Sequence, residues 1–137
     1  MVIQKILLDS DILVSLNKTD DPNHAKAKKI QEKYSHTPHI FYLSNLVFSE
    51  SITVISQKVN HQTAINFIKQ FQSKKPHLNY IHVDQKLENL AIKIFNQQTS
   101  KNISFVDCTN IAIYQKYSLD AIFSFDKHYK KNGITVL

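Results

Sequence analysis

Glycine is nearly missing from this sequence: Gly133 is the single one among 137 residues. A GxGxxG turn or a P-loop needs several glycines to let backbone approach phosphate, so neither can be built here. Proline occurs only three times, and low-complexity linkers are absent. Cys108 is the one cysteine. It permits neither an intramolecular disulfide nor a cysteine zinc site, which fits a reducing, cytoplasmic setting. No apolar run reaches the ~18–20 residues of a membrane span, so no membrane partner is expected. The opening Met1-Val2-Ile3-Gln4-Lys5 enters a strand too soon for a signal peptide. Arginine is missing altogether, so all 17 basic residues are lysines. Lysine attracts phosphate as a point charge and is less suited than arginine to bidentate base reading.

What is present fits one domain covering 1–137, since 42% hydrophobic residues supply a respectable core. The net charge is +6. A basic surface points to a polyanionic partner, nucleic acid or an acidic protein, with ordinary lysine solubility as the alternative.

Short apolar runs alternate with amphipathic stretches. Ile6-Leu7-Leu8 does not alternate and reads as a strand buried on both faces. Ile12 to Leu16 reads as a short helix. Asp21-Pro22 reads as N-cap and first helical position of a helix to about Tyr34, with Ala25, Ala27 and Ile30 inward. His36-Thr37-Pro38 breaks it, and Ile40 to Leu43 is a second strand. Ser44 caps a helix to about Lys58, and Asn60 starts another to about Ser73, ended by Lys74-Lys75-Pro76. Leu78 to Val83 is a third strand. Asp84 caps a helix to about Gln98, and Ser104 one to about Tyr117. Ala121 to Phe125 and Ile134 to Leu137 complete the strands. The expected fold is α/β: a mainly parallel central sheet of about five strands flanked by helices.

Four carboxylates stand in awkward places. Asp9 ends the first strand and Asp126 follows the fourth, and the carboxyl edge of an open parallel sheet is where ligands bind. Either can also be explained as a helix N-cap. On the helix from Ser44, with Leu46 at zero, Glu50 falls at about 40° and Val54 at about 80°, inside an apolar arc. A boundary glutamate that reaches solvent is the plain alternative. On the helix from Ser104, with Asp107 at zero, Ile111 and Ile103 lie at about ±40°. Asp107 therefore faces inward, although its first-turn position also suits the helix dipole. Capping accounts for each acid separately. It does not explain four that one sheet edge gathers, where repulsion calls for a divalent cation. Oxygen ligands without thiolate select magnesium or manganese.

Together these segments resemble the PIN-domain nucleases, and among them the VapC-type toxins of bacterial toxin–antitoxin pairs. Asp9-Ser10-Asp11 matches an aspartate ending strand one, then Ser or Thr and a small polar residue. Ser49-Glu50 matches a glutamate within the third helix, and Ser104-Phe105-Val106-Asp107 an aspartate opening a late helix. Ser124-Phe125-Asp126-Lys127-His128-Tyr129 matches a Ser/Thr-x-Asp step with an aromatic three positions on. Asp11 stands where the family more often has Asn or Ser, and Ser124 where Thr is commoner. The resemblance covers nearly the whole chain. It implies a divalent-metal endoribonuclease, with Asp9, Glu50, Asp107 and Asp126 as catalytic and metal-holding acids. Ser10, Asp11 and Ser124 would orient those acids. RNA is the implied substrate, and a homodimer and a cognate antitoxin are the implied partners. The apolar content of residues 25–30 and 60–71 fits a dimer.

Lys127, His128, Lys130 and Lys131 follow Asp126 and are candidate RNA contacts, with a solvated loop as the plain alternative. The seven histidines show no HxxxH or HExxH spacing and are expected at surface and loop positions. Asp9-Ser10-Asp11 is also similar to the DxDxT start of haloacid-dehalogenase-like phosphatases, but Leu13 stands where that pattern wants threonine. A receiver domain would need a lysine ending the last strand, and none is so placed. Other readings are a PIN ribonuclease of RNA processing outside a toxin–antitoxin pair, or a PIN-like module that only binds RNA or protein. A pure phosphate binder gains nothing from buried negative charge.

Overall fold

The computed structural model describes residues 2–74 and 77–137. Among these residues four strands, β1 (Gln4–Leu8), β2 (His39–Ser44), β3 (Leu78–Ile81) and β4 (Ala121–Phe123), form one sheet in the order β3-β2-β1-β4. All three pairings are parallel. Among the described residues seven helices surround it: α1 (Ser10–Asn17), α2 (His24–Ser35), α3 (Asn45–Lys58), α4 (His61–Lys74), α5 (Gln85–Gln97), α6 (Phe105–Lys116) and α7 (His128–Lys131). β1 is central, and Ile6 and Leu7 are both fully buried because helices cover both faces. Ile6 packs with Ala27 of α2 and Phe123. Leu7 packs with Leu87, Ala91 and Ile111 of α5 and α6. A third cluster, Leu13, Leu43, Val47, Ile55 and Phe67, seats α3 and α4.

The expected fifth strand is a single parallel bridge, Ile122 to Val136. Ile122 N–H donates to Thr135 at 2.8 Å and Leu137 N–H donates to Ile122 at 3.0 Å. Three of the expected caps are in place. Ser44, Asp84 and Ser104 accept from the N–H groups of Val47, Leu87 and Asp107. Asp21 is not the cap of α2. Its carboxylate accepts from Asn23 N–H at 2.8 Å, a turn closed two residues on, so the helix begins at His24. That start turns Ala25 outward and leaves Ala27 as the buried residue of α2. The expected helix stop at Lys75-Pro76 lies outside the described residues. No helix among the described residues is long and apolar enough to cross a membrane.

Candidate active site

The register of β1 and β4 builds the site. Leu8 pairs with Phe123, so the next residues, Asp9 and Ser124, leave the sheet side by side. Ser124 Oγ donates to Asp9 Oδ2 at 2.8 Å. β4 stops short of the expected Phe125 because its ladder partners are replaced by side chains. Asp11 Oδ2 accepts from Phe125 N–H at 2.9 Å, and Ser124 Oγ accepts from Asp126 N–H at 3.0 Å.

Asp9 is buried and caps α1. Oδ1 accepts from Ser10 N–H at 2.9 Å and Asn110 Nδ2 at 3.2 Å, while Oδ2 also accepts from Tyr129 Oη at 3.1 Å. Burial, with Asp11's charge next, pushes its carboxyl up to about 7, against the hydrogen bonds from Ser124 and Ser10. Burial also raises the Asp11 carboxyl, and Asp11 Oδ1 is buried without a hydrogen-bond partner among the described residues.

Asp107 sits in the first turn of α6 and is buried, as its inward position required. It completes a capping box, accepting Ser104 N–H on Oδ2 at 3.0 Å, and Oδ1 takes Tyr129 Oη at 3.2 Å. The cap is therefore real, yet it spends one oxygen only. Asp126 Oδ1 accepts from His128 N–H at 2.8 Å and lies 2.7 Å from His128 Nδ1. Ligand atoms of Asp107, Asp126 and His128 all fall within 4.8 Å of one another. Burial holds the Tyr129 phenol protonated, and the charges of Asp9 and Asp107 add to this.

Two expectations are corrected here. Glu50 is not inside the apolar arc. α3 buries Val47, Ser51 and Ile55, a stripe about 100° away from Glu50, because half-buried Leu46 is not the centre of the inward face. Glu50 is an exposed residue at the rim of the cleft, where partial desolvation and the charge of Asp107 still raise its carboxyl. His128 is not a surface residue. It is 8% exposed, held between Asp126 and Ser100 Oγ, which lies 3.3 Å from its Nε2. Of the candidate RNA contacts, His128 is buried, whereas Lys127, Lys130 and Lys131 are exposed.

Asn110 and the hydroxyl of Tyr129 were not singled out by sequence. Asn110 lies three residues after Asp107 and so shares its face, the signal that a polar pair at this spacing carries. An open cleft of about 330 Å³ adjoins the acids, lined by Ser10, Asp11, Asp21, Glu50, Lys58 and Phe125 among others. Buried carboxylates with raised protonation, an imidazole and no thiolate suit a hard divalent cation, so this donor set fits one.

A family model described as PIN domain matches residues 6–134. The 23S rRNA-specific endonuclease VapC20 of Mycobacterium tuberculosis is 23% identical over 128 residues, covering 93% of this chain and 94% of the relative. The crystal structure of that VapC20, a Sarcin-Ricin loop cleaving toxin, aligns with a TM-score of 0.83 at 23% identity, over 95% of this chain and 96% of the other. VapBC2 from Rickettsia felis, bound to a DNA fragment from its promoter, aligns at 0.69 and 12% identity, over 98% of each chain. A toxin–antitoxin complex from Klebsiella pneumoniae aligns at 0.61 and 16% identity, over 88% and 86%. At these identities the solved structures establish a shared fold, and the family match running from residue 6 to residue 134 shows that the chain belongs to the PIN domain family.

Proposed function

We propose that this chain is a divalent-metal-dependent endoribonuclease and the toxin of a toxin–antitoxin pair. The observation that carries the reading is the meeting of Asp107, Asp126 and His128 within 4.8 Å, with buried Asp9 linked to Asp107 through the Tyr129 hydroxyl. PIN nucleases use divalent metals, and the relatives named as an rRNA endonuclease and as toxin–antitoxin assemblies support both halves of the reading. Magnesium or manganese suits the carboxylate-rich donor set.

A bound cation supplies Lewis acidity, which acidifies water and neutralises charge on the scissile phosphate. Asp107 and Asp126 would hold it, with Glu50 on the cleft rim as a further candidate ligand. Asp9, just past the end of β1, would join them, fixed by Ser124 and Ser10. His128 orients Asp126 through its 2.7 Å contact. Asp11 holds the Ser124–Phe125 backbone against α1. Lys58 at the cleft and exposed Lys127, Lys130 and Lys131 draw RNA phosphates by charge. The apolar groove between α3 and α4, lined by Ile52, Ile65 and Ile68, supports a homodimer. The cytoplasm, where RNA substrates are found, is the setting this reading implies.

The test is cleavage of 23S rRNA and of an unrelated RNA with manganese or with chelator. Cutting that needs metal and disappears in Asp107→Asn and Asp126→Asn is expected. RNA binding without any cleavage would favour a binding module instead. A small adjacent gene whose product blocks the cleavage would identify the antitoxin.

A further inference from the structure

Tyr129 is fully buried, and its ring packs in the same core as Leu7, Ile111 and Ile122. A phenylalanine would fill that volume without desolvating a hydroxyl, which costs free energy unless the hydroxyl is bonded. Here the hydroxyl is spent on acids. It lies 3.1 Å from Asp9 Oδ2 and 3.2 Å from Asp107 Oδ1, and it accepts from Asn110 Nδ2 at 2.9 Å. The same Asn110 amide donates to Asp9 Oδ1 at 3.2 Å. Asn110 is itself fully buried, and its Oδ1 has no hydrogen-bond partner among the described residues. One amide, one phenol and two carboxylates, from the β1–α1 junction, α6 and α7, are thus tied into one network.

We propose that Tyr129, backed by Asn110, is a positioning residue that sets the Asp9 and Asp107 carboxylates side by side for a divalent cation. The inference rests on the metal reading above and adds a residue role to it. A phenol carries one proton and cannot bond both carboxylates fully at once, so it holds the two acids within reach of one hydroxyl. Asp107 Oδ1 has no other donor among the described residues, so removing the hydroxyl frees that end of the carboxylate. The Asn110 donor polarises the O–H and fixes its direction. Outer hydrogen bonds of this kind commonly change metal affinity about 10–100-fold when removed.

The experiment is manganese titration calorimetry on the wild type, Tyr129→Phe and Asn110→Ala, with a melting curve of each in chelator. Tyr129→Phe keeps the packing and is expected to bind manganese about tenfold more weakly. Asn110→Ala is expected to weaken it in the same direction and provides the answer if Tyr129→Phe fails to fold. Raising manganese should restore kcat of either variant toward wild type with the KM for RNA unchanged. Manganese affinity within about twofold of wild type in both variants, whatever their melting temperatures, would overturn the proposal. A wild type that binds no manganese would overturn the metal reading itself.

Discussion

Asp107→Asn separates catalysis from structure by the sign of its effect on stability. Asp107 performs two structural tasks, accepting Ser104 N–H at 3.0 Å and Tyr129 Oη at 3.2 Å. Asparagine keeps one acceptor oxygen, so it preserves the cap or the tyrosine bond and loses the other. A lost cap costs about 0.5–2 kcal/mol. Against this stands repulsion. Asp107 has a ligand oxygen within 4.8 Å of one on Asp126, and two unit charges at that distance repel by about 3 kcal/mol at an effective dielectric of 20. Asp126 is half-exposed, and solvent screening reduces that figure to about 1–2 kcal/mol. Asp9 and Glu50, both shifted upward in part by Asp107, add further repulsion. Metal-free Asp107→Asn is therefore expected to be as stable as wild type or more so, by up to about 1 kcal/mol, or roughly 3–5 °C. RNA cleavage should fall by orders of magnitude, and stabilisation by manganese should shrink. The assay is a melting curve in chelator at neutral pH beside RNA cleavage at fixed manganese. A variant that melts much earlier in chelator yet cuts RNA at the wild-type rate once folded would show that Asp107 is only a cap.

Manganese at about ten times its dissociation constant should stabilise the wild type by roughly 1.4 kcal/mol if it binds only the folded state. No shift in thermal unfolding at millimolar metal would count against the site. In chelator, stability should fall as pH rises from about 4 to about 7. Asp9 is raised from 3.8 to about 7 in the fold, so the native state holds a proton that the unfolded chain releases across that window. Denaturant melts at a series of pH values check this, and stability that climbs over the same range contradicts it. Light scattering at high micromolar concentration is expected to give a dimer mass, and a strict monomer would refute the dimer.

The fold was legible because its signals were local. Non-alternating Ile6-Leu7-Leu8 meant burial on two faces, which only helices on both sides of a parallel sheet provide. Ser44, Asp84 and Ser104 announced three helices through side-chain caps that need nothing beyond the next turn. The errors came where tertiary partners override local preference. Asp21 closes a turn on Asn23 instead of capping, helped by Ser15 Oγ at 3.2 Å from the preceding helix. The last strand holds only one bridge, although its apolar residues looked sufficient for a ladder.

The site was legible to the extent that charge in the wrong place is a signal, and Asp9 and Asp107 are buried as that signal required. Its limit is the helical wheel. A wheel needs a correct centre, and for α3 the centre is Ser51, a buried serine whose hydroxyl is satisfied by Val47 C=O at 2.7 Å. Hydropathy ranks serine as a surface residue, so the apolar arc drifted toward Leu46 and carried Glu50 inward with it. α6 misled less, because seven consecutive residues from Asp107 to Ile113 are buried and any wheel would have placed Asp107 inside. The same reasoning explains why Asn110 is not legible in the sequence and why His128 reads there as a surface residue. Both are polar side chains that burial tolerates only because acids bond them. Hydropathy hides such residues, and they surface only once the acids they serve are placed. In a chain with carboxylates at a sheet edge, the polar residues to seek next are therefore those three or four positions along the same helix. Asn110 beside Asp107 is that case.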